Sequence, residues 1–289
     1  MRGVSTATVL ISPDQSQAAT SRSPRYSLLM SSEPSLIADA QQLRYQVFST
    51  EPGFSLTNSS GIDADRFDEH CDHIMVRDDS TGELIGCYRM LPPPGAIAAG
   101  GLYCATEFDV NELWSLAPSL VEMGRAVVRK DHRNGAVILM MWAGILAYLD
   151  RCGYDFVVGC VSVPTHGSDA PGSQLRGVRD VVLKKHRAQT TVYPHRPVIL
   201  EGRTLDEIES PQRTNLPALL RGYLRLGAQV CGEPAHDPAF GVGDFPVLLD
   251  RRQADIRYLT RLRSASRAAD QHSANLDSRD VSGGEVPTQ

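Results

Sequence analysis

The sequence lacks several features that would assign a function at once. No CxxC pair occurs among its six cysteines, which are scattered along the 289 residues. Scattered cysteines in apolar runs are typical of buried free thiols in a reducing compartment, so we expect a cytoplasmic protein. The formal net charge of −5 gives no general attraction to nucleic acid, and we expect no nucleic-acid partner.

Long hydrophobic runs are scarce as well. The apolar run at 136–149 has fourteen residues, fewer than the roughly 20 that a transmembrane helix needs. The patch Val9-Leu10-Ile11 is too short for a signal-peptide core. The segments 1–25 and 263–289 are polar and aperiodic, so they are predicted to be disordered tails around one domain at 26–262.

Two kinds of catalytic centre find little support. Cys71 with His70 and His73 suggests a metal, but no second cluster of ligands accompanies them, and we expect no metal site. No GxSxG nucleophile elbow occurs, which argues against a serine nucleophile.

A strand–helix–strand unit at 120–163 is the clearest feature that is present. Strand-like runs at 120–128 and 156–163 flank the apolar run, which begins after Asn134 and stops at Gly153. Asn is a good N-cap, and Gly is common where a helix ends. A helix that is apolar on nearly every side should be buried inside a larger domain.

Opposite charges interrupt the first strand of this unit. Glu122 and Arg125 flank Gly124, which allows a bulge or a close backbone approach. Charges inside a core strand are costly unless they are paired or used. A site is therefore predicted here, and an ion pair at the strand edge is the alternative.

Periodicity and turn signals predict the other elements. Strands are expected at 26–30, 73–77, 84–91, 192–200 and 245–249, and helices at 34–50, 110–116, 174–186, 216–226 and 253–262. This order predicts an α/β (α+β) fold with a mixed sheet and helices on both faces. Ligands bind such sheets in the crevice where neighbouring parallel strands diverge.

Four groups of residues follow one another in the first half of the chain. They are Arg44 and Phe48 with Phe54 six residues on, the string Asp63-Ala64-Asp65-Arg66-Phe67-Asp68, Arg89 on the hairpin strand, and Glu122-x-x-Arg125. In this order they resemble the GNAT (N-acetyltransferase-like) superfamily, in the branch that uses acyl carrier protein. That branch holds the autoinducer synthases and the ornithine N-acyltransferases, and it implies a splayed sheet.

The departures from the autoinducer-synthase pattern favour the other family. This chain has Gly124, Phe54 and Asp63 where autoinducer synthases usually have Ser, Trp and Glu. The strings at 107–110 and 216–227 are closer to the ornithine N-acyltransferases. The resemblance thus implies transfer of a long, 3-hydroxylated acyl chain to the α-amine of ornithine. Autoinducer synthesis from S-adenosylmethionine, or a catalytically silent GNAT-like binding module, are the alternatives.

The family acts by direct attack of the amine, without an acyl-enzyme. An α-amine is mostly protonated at neutral pH, so a base or a water relay is needed. Asp63, Glu122 and Arg125 are the predicted catalytic residues, with Asp63 or Glu122 as the base. The predicted substrate-binding residues are Arg44, Phe48, Phe54, Asp65, Arg89, Gly124 and Ala126. Backbone N–H groups at a bulge from Gly124 to Ala126 would stabilise the oxyanion, whereas Asp68 is expected to be mainly structural.

The donor is expected to be acyl carrier protein, with acyl-CoA possible and no tightly bound cofactor. The turn at 132–137 has one glycine in the wrong register for a pyrophosphate cradle, but the helix start at Asn134 and Gly135 can hold a single phosphopantetheine phosphate. Seven basic residues against two acids at 176–203 would steer an acidic carrier protein. The alternative is a solvated helix face. The amphiphilic product makes transient contact with the inner membrane plausible.

Overall fold

The structure is a computed structural model that describes residues 8–11, 26–51 and 60–255, together with 257 and 260. Its strands are β1 (Thr8–Ile11), β2 (Tyr26–Ser31), β3 (Asp72–Asp78), β4 (Leu84–Leu91), β5 (Phe108–Asp109), β6 (Leu120–Val128), β7 (Phe156–Pro164), β8 (Tyr193–Pro194), β9 (Ile199–Leu200), β10 (Arg203–Thr204), β11 (Gln229–Val230), β12 (Ala235–Asp237) and β13 (Val242–Asp250). Its α-helices are α1 (Pro34–Phe48), α2 (Pro93–Ala98), α3 (Gly135–Cys152), α4 (Ser173–Lys185) and α5 (Ala218–Leu226).

One nine-stranded sheet organises the fold. Its strand order is β1-β2-β3-β4-β6-β7-β13-β11, and β12 also pairs with β13. The pair β6–β7 is parallel, and the other pairs of this sheet are antiparallel. Two small sheets, β5–β8 and β9–β10, lie outside it. The predicted mixed sheet is confirmed.

The sheet splays between β6 and β7. The parallel ladder pairs Leu120–Glu122 with Phe156–Val158. Just beyond it the strands still approach closely, since a Cβ on Gly159 would lie 2.5 Å from the carbonyl oxygen of Met123. From there β7 stays paired with β13 as far as Pro164, whereas β6 stays paired with β4. A crevice therefore opens at the middle of the sheet.

Helices cover both faces, as the alternation along β3 shows. Ile74 and Val76 belong to the main core, which also contains the buried residues of α3. Met75, between them, packs in a separate cluster with Leu43 and Val47 of α1. Because successive side chains of a strand point to opposite faces, α1 and α3 lie on opposite sides of the sheet. The prediction of helices on both faces is confirmed.

Helix α3 is the central core helix, and its ends are where Asn134 and Gly153 predict them. The side chain of Asn134 accepts the N–H of Val137 at 3.1 Å, and Gly153 has φ of +73°. With 18 residues, the helix is longer than its predicted apolar run, and by length and composition alone it could cross a membrane. Its buried face instead packs on the sheet, and Trp142 meets the Tyr223 ring at a centroid distance of 4.3 Å.

Two predicted elements are wrong. Instead of a helix at 110–116, the chain forms short 3₁₀ turns at Asn111–Leu113 and Ala117–Ser119. Seven residues make barely two helical turns, which is too short to offset the cost of nucleating an α-helix. The predicted strand at 192–200 is reduced to β8 and β9, because its prolines cannot donate to a ladder.

The two ends of the chain also differ from expectation where they are described. Thr8–Ile11, inside the predicted N-terminal tail, forms β1 antiparallel to β2. This short run of apolar and β-branched residues can extend the edge of a sheet. At the other end, a 3₁₀ turn at Arg251–Gln253 precedes the predicted helix at 253–262, and Ala254 and Asp255 have no regular structure. Half of the residues of that predicted helix and the tail at 263–289 lie outside the described residues.

Candidate active site

The β6 strand bulges at the point where the sheet splays. Gly124 pairs with Arg89 and Val127 pairs with Cys87, so Arg125 and Ala126 together oppose a single residue of β4. Arg125 has φ of +53°, a conformation that non-glycine residues rarely adopt. A bulge of this kind redirects side chains and interrupts the ladder. The bulge predicted from Gly124 is therefore present.

Buried ion pairs connect the acidic loop to helix α1. Arg44, which is 1% exposed, binds both carboxylate oxygens of Asp68, with Nη1–Oδ1 at 2.9 Å and Nη2–Oδ2 at 2.8 Å. Its Nε lies 2.9 Å from Oδ2 of Asp63, and its Nη2 also donates to the backbone carbonyl of Asp63. The guanidinium of Arg44 therefore binds the acidic loop at both Asp63 and Asp68.

Two arginines of the sheet complete the network. Arg89 on β4 binds Asp65 at 2.5 and 2.8 Å and Asp68 at 2.9 Å. Arg125 places Nε 3.2 Å from Oδ2 of Asp63 and Nη2 3.3 Å from Oδ2 of Asp65. Three guanidinium groups face three carboxylates, so the charges of the network balance.

The arginines keep the loop carboxylates ionised. Burial alone would raise the pKa of Asp68, but the hydrogen-bonded guanidinium of Arg44 and the charge of Arg89 hold it well below its usual value. Burial opposes ionisation of Asp65 too, yet the bonds and charge of Arg89, with the charge of Arg125, lower its pKa. Both residues therefore act as fixed negative charges at neutral pH.

A cavity of about 190 Å³ occupies the splay between β6 and β7. It is lined by Phe48, Phe67, Arg89, Leu91, Tyr103, Glu107, Glu122, Met123, Gly124, Arg125, Ala126, Cys160, Val161, Ser162, Pro217, Leu219, Tyr223, Asp237, Phe240, Val242 and Asp244. Strands β6, β7 and β13 form its walls, and α5 covers its apolar end. The cavity therefore joins an apolar region to a group of charged side chains.

Glu122 is the buried carboxylate that β6 brings to this cavity. It is 4% exposed, and its Oε1 accepts the N–H of Cys104 at 2.7 Å while Oε2 accepts the N–H of Tyr103. Burial raises the pKa of Glu122, although these backbone donors act in the opposite direction. A carboxylate with a raised pKa is a better proton acceptor, and such groups cluster at active sites.

Aromatic rings fix the position of Arg125 on the cavity wall. Its guanidinium carbon lies 5.1 Å from the centroid of Tyr103 and 5.8 Å from that of Phe240. Contacts of this kind attract a cation to the face of a ring. Together with the carboxylates of Asp63 and Asp65, the rings hold the guanidinium beside Glu122 in the same cavity.

The structure brings most of the predicted site residues together. Glu122, Arg125, Gly124, Ala126, Arg89 and Phe48 line the cavity. Arg44, Asp63 and Asp65 belong to the ion-pair network instead, and Asp68 has the structural role that was expected. Asp63 is bound by two guanidinium groups, which favours a positioning role over that of a base.

Two predicted residues are not brought into the site, and a third is not described. Phe54 lies outside the described residues. Asn134 and Gly135, predicted to hold the donor phosphate, are not among the described residues that line the cavity. The side chain of Asn134 accepts an N–H of its own helix, so this oxygen serves as a helix cap.

The sequence reasoning missed the acidic side of the cavity. Carboxylate oxygens of Glu107, Asp237 and Asp244 lie within 4.8 Å of one another. Tyr103 and Phe240 were also missed, although both contact Arg125. The one usable signal was Asp244, a charged residue inside an otherwise apolar strand at 242–249. The expectation of no metal rested on Cys71, His70 and His73 and did not consider this group.

The cavity thiol is unsuited to covalent catalysis. Cys160 is enclosed by the cavity wall, and burial raises the pKa of its thiol well above the usual value. The thiolate is the nucleophilic form of cysteine. Direct attack by an amine therefore fits this cavity better than an acyl-enzyme on Cys160.

Comparisons with known proteins agree with the geometry. A family model for the acetyltransferase (GNAT) domain matches residues 43–143. The chain is 31% identical over 241 residues to an L-ornithine N(alpha)-acyltransferase of Brucella abortus (strain 2308), covering 78% of this chain and 84% of that protein. It is 31% identical over 237 residues to an L-ornithine N(alpha)-acyltransferase of Rhizobium meliloti (strain 1021), with coverages of 76% and 78%.

A solved structure of a CoA-dependent acyl-homoserine lactone synthase aligns with a TM-score of 0.45 and 13% identity, covering 80% of this chain and 82% of the other. That similarity is too distant to carry an argument about function. The GNAT domain and the two curated relatives make this protein an acyltransferase. The chain belongs to the family that those relatives represent, within the GNAT superfamily, as the sequence resemblance predicted.

The network predicts a large effect of Asp68→Asn on stability. The substitution keeps the shape of the side chain but leaves Arg44 and Arg89 short of one negative charge. Breaking a buried ion pair costs about 3–5 kcal/mol, and urea unfolding at pH 7 should show a loss of that size. Asp39→Asn, on the exposed side of α1, removes the same charge and should change stability by less than about 0.5 kcal/mol.

The same variant should change the acid dependence of stability. A carboxyl whose folded pKa is lowered contributes stability above its unfolded pKa, about 3.9, and loses it as the pH falls towards the folded value. The wild-type protein should therefore lose stability below about pH 4, and Asp68→Asn should lose less over the same range. Equal stability at pH 7, or equal acid slopes, would contradict the network.

Proposed function

We propose that this acyltransferase moves a long, 3-hydroxylated acyl chain from acyl carrier protein to the α-amine of ornithine. The observation that carries the proposal is the single cavity in which Glu122 and Arg125 of β6 meet an apolar wall. The names of the two curated relatives support ornithine as the acceptor. Neither the acceptor nor the donor follows from the fold itself.

Glu122 is the base in this proposal. The buried carboxylate takes a proton from the acceptor ammonium, directly or through a water molecule, and leaves a neutral amine. Arg125, held by Asp63 and Asp65, presents a positive charge to the α-carboxylate of the amino acid. A guanidinium has five N–H donors, so Arg125 retains donors for the substrate carboxylate in addition to those directed at Asp63 and Asp65.

The amine then attacks the thioester carbonyl. A C–N bond forms, the carbonyl oxygen becomes an oxyanion, and the C–S bond breaks as the tetrahedral intermediate collapses. The proton held by Glu122 passes to the leaving thiolate, and the second proton, lost by the nitrogen as it becomes an amide, passes to water, so the reaction needs no other co-reactant. The interrupted ladder at Gly124 to Ala126 is where backbone N–H groups would stabilise the oxyanion, and one such donor is typically worth about 3 kcal/mol.

The apolar end of the cavity would receive the first carbons of the acyl chain. Met123, Val161 and Tyr223 line it, next to Pro217 and Leu219 at the start of α5. A volume of about 190 Å³ is close to that of an engineered cavity that holds benzene. It accommodates the reacting groups but not a whole fatty chain, so the rest of the chain would pass outward along α5.

The proposal is tested by identifying the acylated product. Purified protein is incubated with 3-hydroxyacyl thioesters of carrier protein or CoA and with a panel of amino acids or S-adenosylmethionine, and products are identified by mass spectrometry. We expect N-acylornithine. An acyl-homoserine lactone would support the autoinducer-synthase alternative, and the absence of any acylated amino acid would leave the silent binding module.

Glu122→Gln should lower kcat by about 10²–10⁴, the range for loss of a general base. In the wild-type protein kcat/KM should rise with pH through the raised pKa of Glu122, above its usual value of 4.5, because a base acts only when deprotonated. The variant should lack this limb while keeping its circular dichroism spectrum, with a somewhat lower melting temperature because one backbone N–H loses its acceptor.

Glu112→Gln removes the same charge at an exposed position and should leave turnover and the pH profile unchanged. Retained turnover in Glu122→Gln would remove Glu122 from the mechanism.

The basic patch predicted at 176–203 is smaller than expected, because ion pairs neutralise several of its residues. Arg176 and Arg179 pair with Asp180 and Asp206, and Arg203 pairs with Glu201. The exposed basic residues of this segment that form no ion pair among the described residues are Lys184, Lys185, Arg187 and Arg196. Within this segment, these four remain for docking a carrier protein.

Lys185→Glu should therefore raise the KM for acyl carrier protein several-fold, because a rim charge at an interface mainly affects association. The KM for acyl-CoA should stay unchanged, and added salt should weaken the carrier-protein reaction of the wild type. Arg77→Glu on β3 reverses the same charge elsewhere and serves as the control. A flat salt response together with an unchanged KM in Lys185→Glu would place docking on another surface.

A further inference from the structure

The acidic side of the cavity has a charge that the protein does not balance. Glu107, Asp237 and Asp244 come from three separate parts of the chain, yet their carboxylate oxygens lie within 4.8 Å of one another. No Lys, Arg or His forms an ion pair with them in the part of the chain that the structure describes. The arginines of the ion-pair network are already matched by three other carboxylates.

Asp244 and Glu107 supply buried carboxylate oxygens to this group. Asp244 is 4% exposed, lines the cavity and accepts the hydroxyl of Ser162 at 2.5 Å. Oε2 of Glu107 is buried and has no hydrogen-bond partner among the described residues. A buried polar atom without a partner is costly and calls for an explanation. A ligand that donates hydrogen bonds here would supply the missing partner.

We infer that Glu107, Asp237 and Asp244 bind the side-chain ammonium of the acceptor and so select diamino acids over amino acids with neutral side chains. This inference rests on the proposed function and adds to it the basis of acceptor choice. A primary ammonium has three N–H donors and accepts none, which matches three carboxylates around one point. Ornithine carries this group on its side chain in addition to the α-amine that reacts.

Titration of the group is consistent with a missing cation. Burial and the charges of Asp244 and Asp237 raise the pKa of Glu107, against the opposing hydrogen bonds from Cys160 and Tyr103. Burial and the charge of Asp237 raise the pKa of Asp244 as well, against the opposing hydrogen bond from Ser162 and the charge of Arg125. A bound ammonium would favour the ionised form of both residues.

A divalent cation is the competing occupant. Mg²⁺ and Ca²⁺ also prefer carboxylate oxygens, but Ca²⁺ takes six to eight of them, and Mg²⁺ requires near-ideal octahedral geometry that water usually completes. The group provides three side chains, and Asp237 Oδ1 is engaged with the backbone N–H groups of Ala239 and Phe240. The opposite side of the cavity holds Glu122, the proposed base for an amine. An ammonium therefore fits the arrangement better than a metal ion.

The test uses Asp244→Asn and Glu107→Gln, with Glu112→Gln as a control that removes an exposed negative charge. Asp237 is left unchanged because its carboxylate also fixes the turn that carries Phe240. Acyl transfer to ornithine is compared with transfer to norvaline, which has the same carbon chain but no side-chain amine. Should Asp244→Asn fail to fold, Glu107→Gln, which is only half-buried, carries the test.

We expect the wild-type protein and Glu112→Gln to prefer ornithine over norvaline by at least about 30-fold in kcat/KM, the value for one lost buried charge pair. Asp244→Asn and Glu107→Gln should raise the KM for ornithine and reduce this preference about 10-fold or more. Their kcat/KM for norvaline should be unchanged or higher. If these residues had a purely structural role, the variants would lower kcat/KM for both acceptors alike.

Three results would overturn the inference. One is an unchanged ornithine preference in both variants, and another is an equal loss with both acceptors. The third is loss of the preference when EDTA is added and its return with Mg²⁺ or Ca²⁺, which would assign the group to a metal. If the wild-type protein acylates no amino acid at all, the proposed function itself fails, and that outcome is distinct from these three.

Discussion

The rest of the site depends on the buried pairing of three arginines with three aspartates. Arg44, Arg89 and Arg125 come from α1, β4 and β6, and their partners all lie on one loop. Buried ion pairs contribute little net stability, since desolvation offsets their attraction, but removing one partner is costly. The network is therefore best understood as a positional constraint. It fixes the loop against the sheet and holds Arg125 in a left-handed conformation that the side chain would otherwise avoid.

The bulge of β6 and the separation of β6 from β7 then open the cavity next to this network. A parallel pair of strands separates after three residues, because β7 follows β13 whereas β6 follows β4 through its bulge. At that point Glu122 stays buried and is held by backbone N–H groups, while Arg125 turns towards the rings of Tyr103 and Phe240. The same irregularity of one strand thus sets the position of both charged groups.

Local periodicity was sufficient to predict the centre of the fold. The strands and helix at 120–163 and the hairpin of β3 and β4 have long, unambiguous patterns, and the structure places them within a few residues of the predicted bounds. The family resemblance, and not periodicity, singled out Arg44, Arg89 and the aspartates at 63–68, which form the ion-pair network. The prediction was wrong for short elements such as β8 and the 3₁₀ turns at 111–119, because so few residues show no reliable periodicity.

The acidic wall could not be predicted for a different reason. Tyr103 and Glu107 belong to a segment without a clear pattern, and Asp237, Phe240 and Asp244 lie more than a hundred residues further along the chain. Only the pairing of β13 with β7, in the register that sets Asp244 opposite Ser162, brings them together. Asp244 alone stood out, as a charge within an apolar strand, but one charge does not indicate its partners.

Environment gives the carboxylates of this one region opposite properties. Asp65 and Asp68 face arginines that lower their pKa, whereas Glu107, Glu122 and Asp244 are buried, and their pKa is raised. Carboxylates whose pKa values are shifted in opposite directions typically have different roles in one site. The paired set fixes the arginines, and the unpaired set is left to interact with a substrate.

An acceptor with a carboxylate and two amines could then satisfy all of these groups at once. Its carboxylate would bind Arg125, its reacting amine would meet Glu122, and its second amine would bind the acidic wall formed by Glu107, Asp237 and Asp244. This charge pattern, and not the fold alone, is the basis of the proposal that the cavity accepts a diamino acid.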